Sequence, residues 1–188
     1  MLILLSGPVG AGKTTLCLRL ADEARLRGYA VSGALAPAVI EEDVKVGIDG
    51  LDVSTGERRP LARHAPAGGT FTGTRVGPYA FDDRLLDWMV TLCARALVDA
   101  EGVQGALVFV DEIGKLELDR GEGLSSLIPT LGQPHDSRVI VIVRESLLDR
   151  FLACVLKASP RVVVVNPERR EQAWSELSSL VFGDRVGV

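Results

Sequence analysis

The first fifteen residues restrict this chain more than any other stretch. Leu2-Ile3-Leu4-Leu5 is a short apolar run, Ser6 to Gly12 is rich in glycine, and Lys13-Thr14-Thr15 opens an amphipathic segment. Gly7, Gly12, Lys13 and Thr14 match the spacing G-x-x-x-x-G-K-[ST] in a strand–loop–helix setting. Each residue type has a physical task there. The glycines let the backbone of Gly7-Pro8-Val9-Gly10-Ala11-Gly12 curl around a polyphosphate, and the helix N-terminus adds a favourable dipole. The Lys13 ammonium would reach the β- and γ-phosphate oxygens. The Thr14 hydroxyl would meet Mg²⁺, and Thr15 completes the nucleotide-binding stretch.

A chain of 188 residues can bury a sizeable core, and it reads as one domain, 1–188, with a β-rich insertion over about 36–80. The net charge of −4 argues against a nucleic-acid footprint, which requires a basic face. No segment reaches the roughly 18 uninterrupted apolar residues of a membrane span. The N-terminus has no basic start, and its apolar run stops after four residues, so no leader peptide is expected. Cys17, Cys93 and Cys154 are far apart and form no CxxC, which suits free thiols in a reducing cytoplasm. His64 and His135 are isolated and read as loop residues. No exposed apolar stripe stands out, so a monomer is expected.

Apolar periodicity predicts helices over Lys13 to Arg27, Asp82 to Ala100 and Gly121 to Leu131, then one through Leu147 to Val155 and a last one through Ala173 to Val181. Continuous apolar runs at Ala30 to Leu35, Ala106 to Val110, Arg138 to Val143 and Arg161 to Val165 read as buried strands. Between them, Val44 to Val53 alternates in the period of a strand, with a turn at Ser54-Thr55-Gly56-Glu57, so one or two inserted hairpins are expected. Ala65 to Thr74 is uncharged and aperiodic, and suits either a mobile lid or a plain surface loop. Trp88 reads as packing rather than as a base-stacking platform.

The strand at 106–110 delivers Asp111-Glu112 at its C-terminal end, the Walker B arrangement. Asp111 would hold Mg²⁺ through water, because that ion keeps much of its hydration shell. Glu112 is placed to orient or deprotonate an attacking water. Ile113 to Leu118 reads as a loop, with Glu117 either a second acidic group of the site or a surface charge. Alternating strands and helices give an α/β sandwich with a mostly parallel sheet, whose ligand lies outside the strand C-terminal ends. Gly7 to Thr14, Asp111-Glu112, Arg144 and Asn166 all fall at such ends and should converge.

The first motif, taken with Val110-Asp111-Glu112-Ile113-Gly114-Lys115-Leu116-Glu117-Leu118, resembles the small P-loop nucleoside-triphosphatase family, which includes thermophile enzymes and the human cancer-related nucleoside-triphosphatase. Gly33-x-x-x-Pro37, Gly47, Gly56-Glu57, Leu61-Ala62, Arg75-Val76-Gly77-x-Tyr79 and Asn166-x-x-Arg169 agree with it in outline. The resemblance implies a three-layer P-loop fold of the additional-strand class, with 139–143 lying between the P-loop strand and the Walker B strand. It also implies Mg²⁺-dependent hydrolysis of several nucleoside triphosphates to diphosphate and phosphate, with loose base preference. Lys13 and Thr14 would then bind phosphate and metal, Asp111 the metal and Glu112 the water. Asn166 and Arg169 would belong to the nucleotide site.

Two departures stand out. Glu41-Glu42-Asp43 occupies a place where the family tends to be basic, and Pro78 replaces the lysine before the tyrosine. Arg59, Arg63 or Arg75 would have to supply that charge, or hydrolysis would be slower. The arginine that neutralises the γ-phosphate is expected to be Arg144, then Arg75, then Arg63. Two other functions fit the motifs less well. A small-molecule kinase would use the insertion as its acceptor site, and a nucleotide-dependent adaptor would not turn over. Asn166-Pro167-Glu168-Arg169 lacks the lysine and aspartate of a base-reading N-K-x-D motif.

Overall fold

The computed structural model describes residues 1–65, 73–103 and 105–183. Strands β1 (Leu2–Gly7), β2 (Val31–Leu35), β8 (Leu107–Ile113), β9 (Arg138–Arg144) and β10 (Arg161–Val164) form the parallel part of one sheet, ordered β10-β1-β9-β8-β2. β9 therefore separates β1 from β8, as the resemblance implies. The insertion does not stand apart. Its strands β3 (Ala38–Glu41), β4 (Val44–Asp52), β5 (Arg58–His64), β6 (Thr74–Val76) and β7 (Tyr79–Phe81) continue the same sheet in antiparallel fashion, as β2-β4-β5-β7-β6 with β3 on β4. Arg75-Val76-Gly77-Pro78-Tyr79 is the tight turn of the β6–β7 hairpin. The uncharged loop expected at 65–74 falls largely on residues 66–72, outside the described residues.

Side-chain alternation along the strands makes two cores. Ile3, Leu5, Phe109, Ile140 and Ile142 face α1 (Lys13–Leu26) and α6 (Arg170–Phe182). Leu2, Leu4, Val108, Val110, Val139 and Val141 face α2 (Asp83–Asp99) and α5 (Leu148–Val155). Both sheet faces are covered, which is why these strands read as unbroken apolar runs rather than as alternating ones. Asp82 caps α2, accepting the Arg84 N–H at 2.9 Å. Trp88 packs against the second core, and the Arg59 guanidinium lies 4.6 Å from its ring centre. Among the described residues no helix is long and apolar enough to cross a membrane.

Two stretches differ from expectation. The loop expected at 113–118 is instead the end of β8 followed by α3 (Lys115–Arg120). Its first turn is fixed by Glu117, whose carboxylate accepts the Gly114 N–H at 2.8 Å, a backward bond that does not announce itself in apolar periodicity. The single helix expected over 121–131 is a 3₁₀ turn at Gly123–Leu127 followed by α4 (Ile128–Leu131). Gly123 has φ 56°, and Pro129 suits a helix start but not a helix interior. Leu124, Leu127 and Leu131 are buried nonetheless, so the apolar stripe was real and only the backbone differs.

Where β2 passes β8, Gly33 has φ 97°, and a Cβ there would overlap the Phe109 carbonyl oxygen. Gly56 has φ 79° but nothing within 4 Å of such a Cβ. Gly33→Ala should therefore destabilise the fold by about 2–6 kcal/mol, combining backbone strain with overpacking. Gly56→Ala should cost only the backbone part, about 1–2 kcal/mol. Urea unfolding of both variants reads the difference, and equal losses would mean that the close approach of β2 to β8 is not what requires glycine.

Candidate active site

Parallel pairing sets the ends of three strands level. Gly7 is opposite Arg144, Leu5 opposite Ile142, and Ile142 opposite Asp111. The β8–β9 register then shifts by one residue between Asp111 and Ile113, so Glu112 stands out of the ladder. Asp111 is buried at 4% exposure, while Glu112 is half-buried. The shift sends two consecutive carboxylates into different surroundings.

Asp111 turns to the phosphate loop. Its Oδ2 accepts the Thr14 hydroxyl at 2.9 Å and the Ala36 N–H at 3.0 Å. Burial pushes its carboxyl up from 3.8 to about 6, and the neighbouring Glu112 charge adds to the rise. Thr14 and Asp111 thus converge as two hard oxygen donors from two different elements. Among the described residues no group of three or more His, Cys, Asp or Glu side chains could hold a metal. A pair of oxygens fits Mg²⁺, which is bound by one or two protein groups together with phosphates and water rather than by a closed cage.

Lys13 is 7% exposed, and its ammonium donates to the Gly7 carbonyl at 2.8 Å and the Pro8 carbonyl at 2.9 Å. The loop's left-handed positions are all glycine: Gly10 has φ 80° and Gly12 φ 93°. Pro8, Val9 and Gly10 are exposed at its crest, and Ala11 is buried beneath. Thr15 opens toward the cleft from the first turn of α1.

Glu112 belongs to the other side of the site. The Arg144 guanidinium donates to its Oε1 from Nε at 3.1 Å and from an Nη at 2.6 Å. Glu117, offered either as an active-site acid or as a surface charge, is buried. Its two oxygens accept the Gly114 and Leu124 N–H groups, and burial raises its pKa. It braces the chain behind the carboxylate pair while lining the same cleft.

The remaining expected residues are placed less centrally. Asn166 is exposed and accepts the Glu168 N–H at 3.0 Å, capping the turn that carries the exposed Arg169. The arginine that reaches the phosphate loop from this side is the next one, Arg170, which donates from Nε to the Ala11 carbonyl at 3.0 Å. Arg63 is engaged within the insertion by Asp49 at 3.1 Å and by the Ile48 and Ala62 carbonyls. Arg59 pairs with Glu57 at 2.8 Å. Arg75 is exposed on β6.

The basic residue that the insertion turns toward the carboxylates is Lys45, which the sequence reading missed. It is half-buried on β4, its ammonium 4.9 Å from the Tyr79 ring centre. Burial lowers its pKa, and Glu112 and Asp111 oppose that lowering. A lysine on the inward side of a strand was the available signal, and the adjacent acidic run Glu41-Glu42-Asp43 drew attention away from it.

Lys13, Thr14, Lys45, Asp111, Glu112 and Arg144 share one cleft of about 730 Å³ that extends from Gly10–Thr15 and on under the insertion. A glycine loop before a helix, a buried aspartate hydrogen-bonded to that helix's hydroxyl and an extra strand between their two strands define a P-loop α/β protein of the additional-strand class. The comparisons agree with it. The family described as NTPase matches residues 2–178, and the chain belongs to that family. It is 30% identical to nucleoside-triphosphatase THEP1 of Pyrococcus abyssi over 94% of this chain and 90% of that protein. It is 28% identical to the protein of the same name from Methanothermobacter thermautotrophicus over 100% and 99% of the two chains. The fold is similar to that of THEP1 from Aquifex aeolicus, with a TM-score of 0.76, 20% identity and coverage of 97% and 99%. It is similar also to a human cancer-related nucleoside triphosphatase, with a TM-score of 0.72, 25% identity and coverage of 98% and 99%.

The raised Asp111 pKa has a measurable consequence. Because the folded value, about 6, lies above the ordinary aspartate value of 3.8, the folded chain holds an extra proton between them. Stability from this group is therefore complete below about pH 4 and is lost as pH rises through about 6. Without nucleotide or Mg²⁺, Asp111→Asn should be more stable than the parent at pH 8, by about 3 kcal/mol. The gap should close toward pH 4. Urea titrations at several pH values check this, and a gap independent of pH would remove Asp111 as its source.

Proposed function

We propose that this chain is a slow, Mg²⁺-dependent nucleoside-triphosphatase that converts ATP, GTP and other nucleoside triphosphates to the diphosphate and phosphate with loose base preference. One observation carries the reading: Glu112, beside the buried Asp111 and held by Arg144 at 2.6 Å, lines the same cleft as Lys13 and Thr14. A carboxylate next to the metal-binding aspartate suits activation of water. The names of the relatives support the same reaction.

In this mechanism the Lys13 ammonium exchanges its carbonyl partners for β- and γ-phosphate oxygens, and the loop N–H groups take the remaining phosphate charge. Thr14 and Asp111 would hold Mg²⁺, which neutralises phosphate charge when bound. Glu112 accepts the proton of the attacking water, and the bridging oxygen leaves with the diphosphate. Arg144, paired with Glu112, and Lys45, which feels the charge of both carboxylates, meet the charge that develops on the γ-phosphoryl group. Arg144 must serve Glu112 and the phosphate together, which supports a slow turnover. Arg170 steadies the loop through Ala11. Asn166 and Arg169, both exposed, border the nucleoside, and so open a surround supports loose base preference. The net charge of −4 supports work on nucleotides rather than on nucleic acid, and the buried free thiols Cys17 and Cys93 suit a reducing cytoplasm.

Phosphate release should be seen from each of ATP, GTP, CTP and UTP with Mg²⁺ and should vanish in Lys13→Ala. Glu112→Gln should keep nucleotide affinity while kcat falls by roughly 10²–10⁴-fold, the usual range for a general acid–base group. Stopped-flow binding and steady-state phosphate release separate the two quantities. Turnover by Glu112→Gln equal to that of the parent would exclude the assigned role.

A further inference from the structure

Hydrolysis by water leaves much of the cleft unexplained. Lys13 and Thr14 fix the β- and γ-phosphates over the first turn of α1, so the nucleoside extends away from Asp111, toward Arg170 and the end of β10. The cleft runs the opposite way. Beyond Glu112 it continues beneath the insertion and is walled by Ile48, Leu61, Phe81, Leu86, Met89 and Leu124. These six come from β4, β5, β7, α2 and the 3₁₀ turn after α3, and all belong to or pack against the second core. The wall is therefore preformed rather than assembled from loose loops. At about 730 Å³ the whole cleft lies in the range of pockets that enclose a small molecule, and a γ-phosphoryl group with one water fills little of it.

We propose that this apolar arm is a second-substrate site for a small, largely apolar alcohol, and that the chain transfers the γ-phosphoryl group to it. The proposal rests on the same catalytic groups as the hydrolysis above, with the alcohol standing where water otherwise stands. Two features tie the arm to the reaction. Glu112 lies at its inner end, where an acceptor hydroxyl would meet a base. Lys45 lines the arm and shares the electrostatic field of Asp111, Glu112 and Arg144, so one cation faces both the phosphoryl group and the acceptor. The alcohol oxygen forms a bond to the γ-phosphorus, and its proton passes to the Glu112 carboxylate. The bond from the γ-phosphorus to the bridging oxygen breaks, and the electron pair leaves with the diphosphate. The products are a phosphate monoester and the nucleoside diphosphate, with no further reactant needed. An apolar wall serves this reaction because it binds the acceptor's body and excludes competing water.

The test uses the full chain, Mg²⁺, ATP labelled at the γ-phosphate, and benzyl alcohol as probe, with ethylene glycol as a hydroxyl donor lacking an apolar body. The expected result is benzyl phosphate whose yield saturates with probe concentration, and no saturable ester from ethylene glycol. Ile48→Trp and Leu86→Trp, two half-buried wall positions that can accept a larger ring, should each lower ester yield by roughly tenfold or more, the scale of discrimination in an apolar pocket. Phosphate release without probe should stay near the parent value in both. Lys13-dependent phosphate release with no ester from benzyl alcohol overturns the acceptor site and leaves hydrolysis standing. So does ester yield unchanged in both tryptophan variants. Ester formation with no phosphate release in the absence of alcohol supports the acceptor site and overturns hydrolysis as the function.

Discussion

The hydrogen bond from Thr14 to Asp111 is the contact on which the site depends. It joins residues 97 positions apart, one at the start of α1 and one near the end of β8. The strands that lead to them, β1 and β8, do not pair with each other. β9 lies between their strands and carries both registers, pairing Ser6 with Val143 on one side and Asp111 with Ile142 on the other. The alignment of the hydroxyl with the carboxylate is thus a product of a third strand's hydrogen bonds. The apolar residues Val139, Ile140, Val141, Ile142 and Val143 are all at most 1% exposed, so this gauge between the two motifs is fixed by burial on both faces. A polar substitution in β9 would disturb catalysis without any contact to the ligand.

The same alignment has an electrostatic cost. A carboxylate at 4% exposure beside a second carboxylate is unfavourable, and the raised pKa of Asp111 expresses it. The donors that bond to its oxygen among the described residues, the Thr14 hydroxyl and the Ala36 N–H, are both neutral. Cation binding at this place would relieve a strain that folding has already installed. Glu112 escapes the same fate because the register shift carries it out of the ladder to a guanidinium. One residue of slippage separates a buried aspartate from a half-buried glutamate paired with an arginine.

Much of this was legible in the chain. Glycine, lysine and hydroxyl spacing identifies the phosphate loop because the chemistry tolerates few other residues there. Apolar runs identify the parallel strands because both faces of the sheet are covered. The failures share one cause. Where backbone is held by a side chain from elsewhere or by a proline, apolar spacing is silent: α3 depends on the carboxylate of Glu117, and Gly123 with Pro129 divides the expected helix at 121–131. Lys45 and Arg170 were missed for a related reason. Their positions are set by sheet pairing and by the packing of α6 on the loop, and no local pattern marks a lone basic residue as belonging to a distant site.

The insertion is where the fold departs most from what a phosphate loop alone requires. It could have been a loosely attached hairpin, yet β4 pairs with β2 and makes the antiparallel strands an extension of the catalytic sheet. This arrangement has a consequence for the chemistry. Ala36, which donates to Asp111, begins the insertion, and Lys45 and Ile48 lie on β4, its second strand. Anything seated against β4 or β5 therefore bears on the same backbone that supports the Asp111 carboxylate. Ile48 pairs with Ala38, two residues from Ala36, so contact with Ile48 reaches the Asp111 donor through paired strands rather than through a loose linker, and transmission of that kind requires no domain movement.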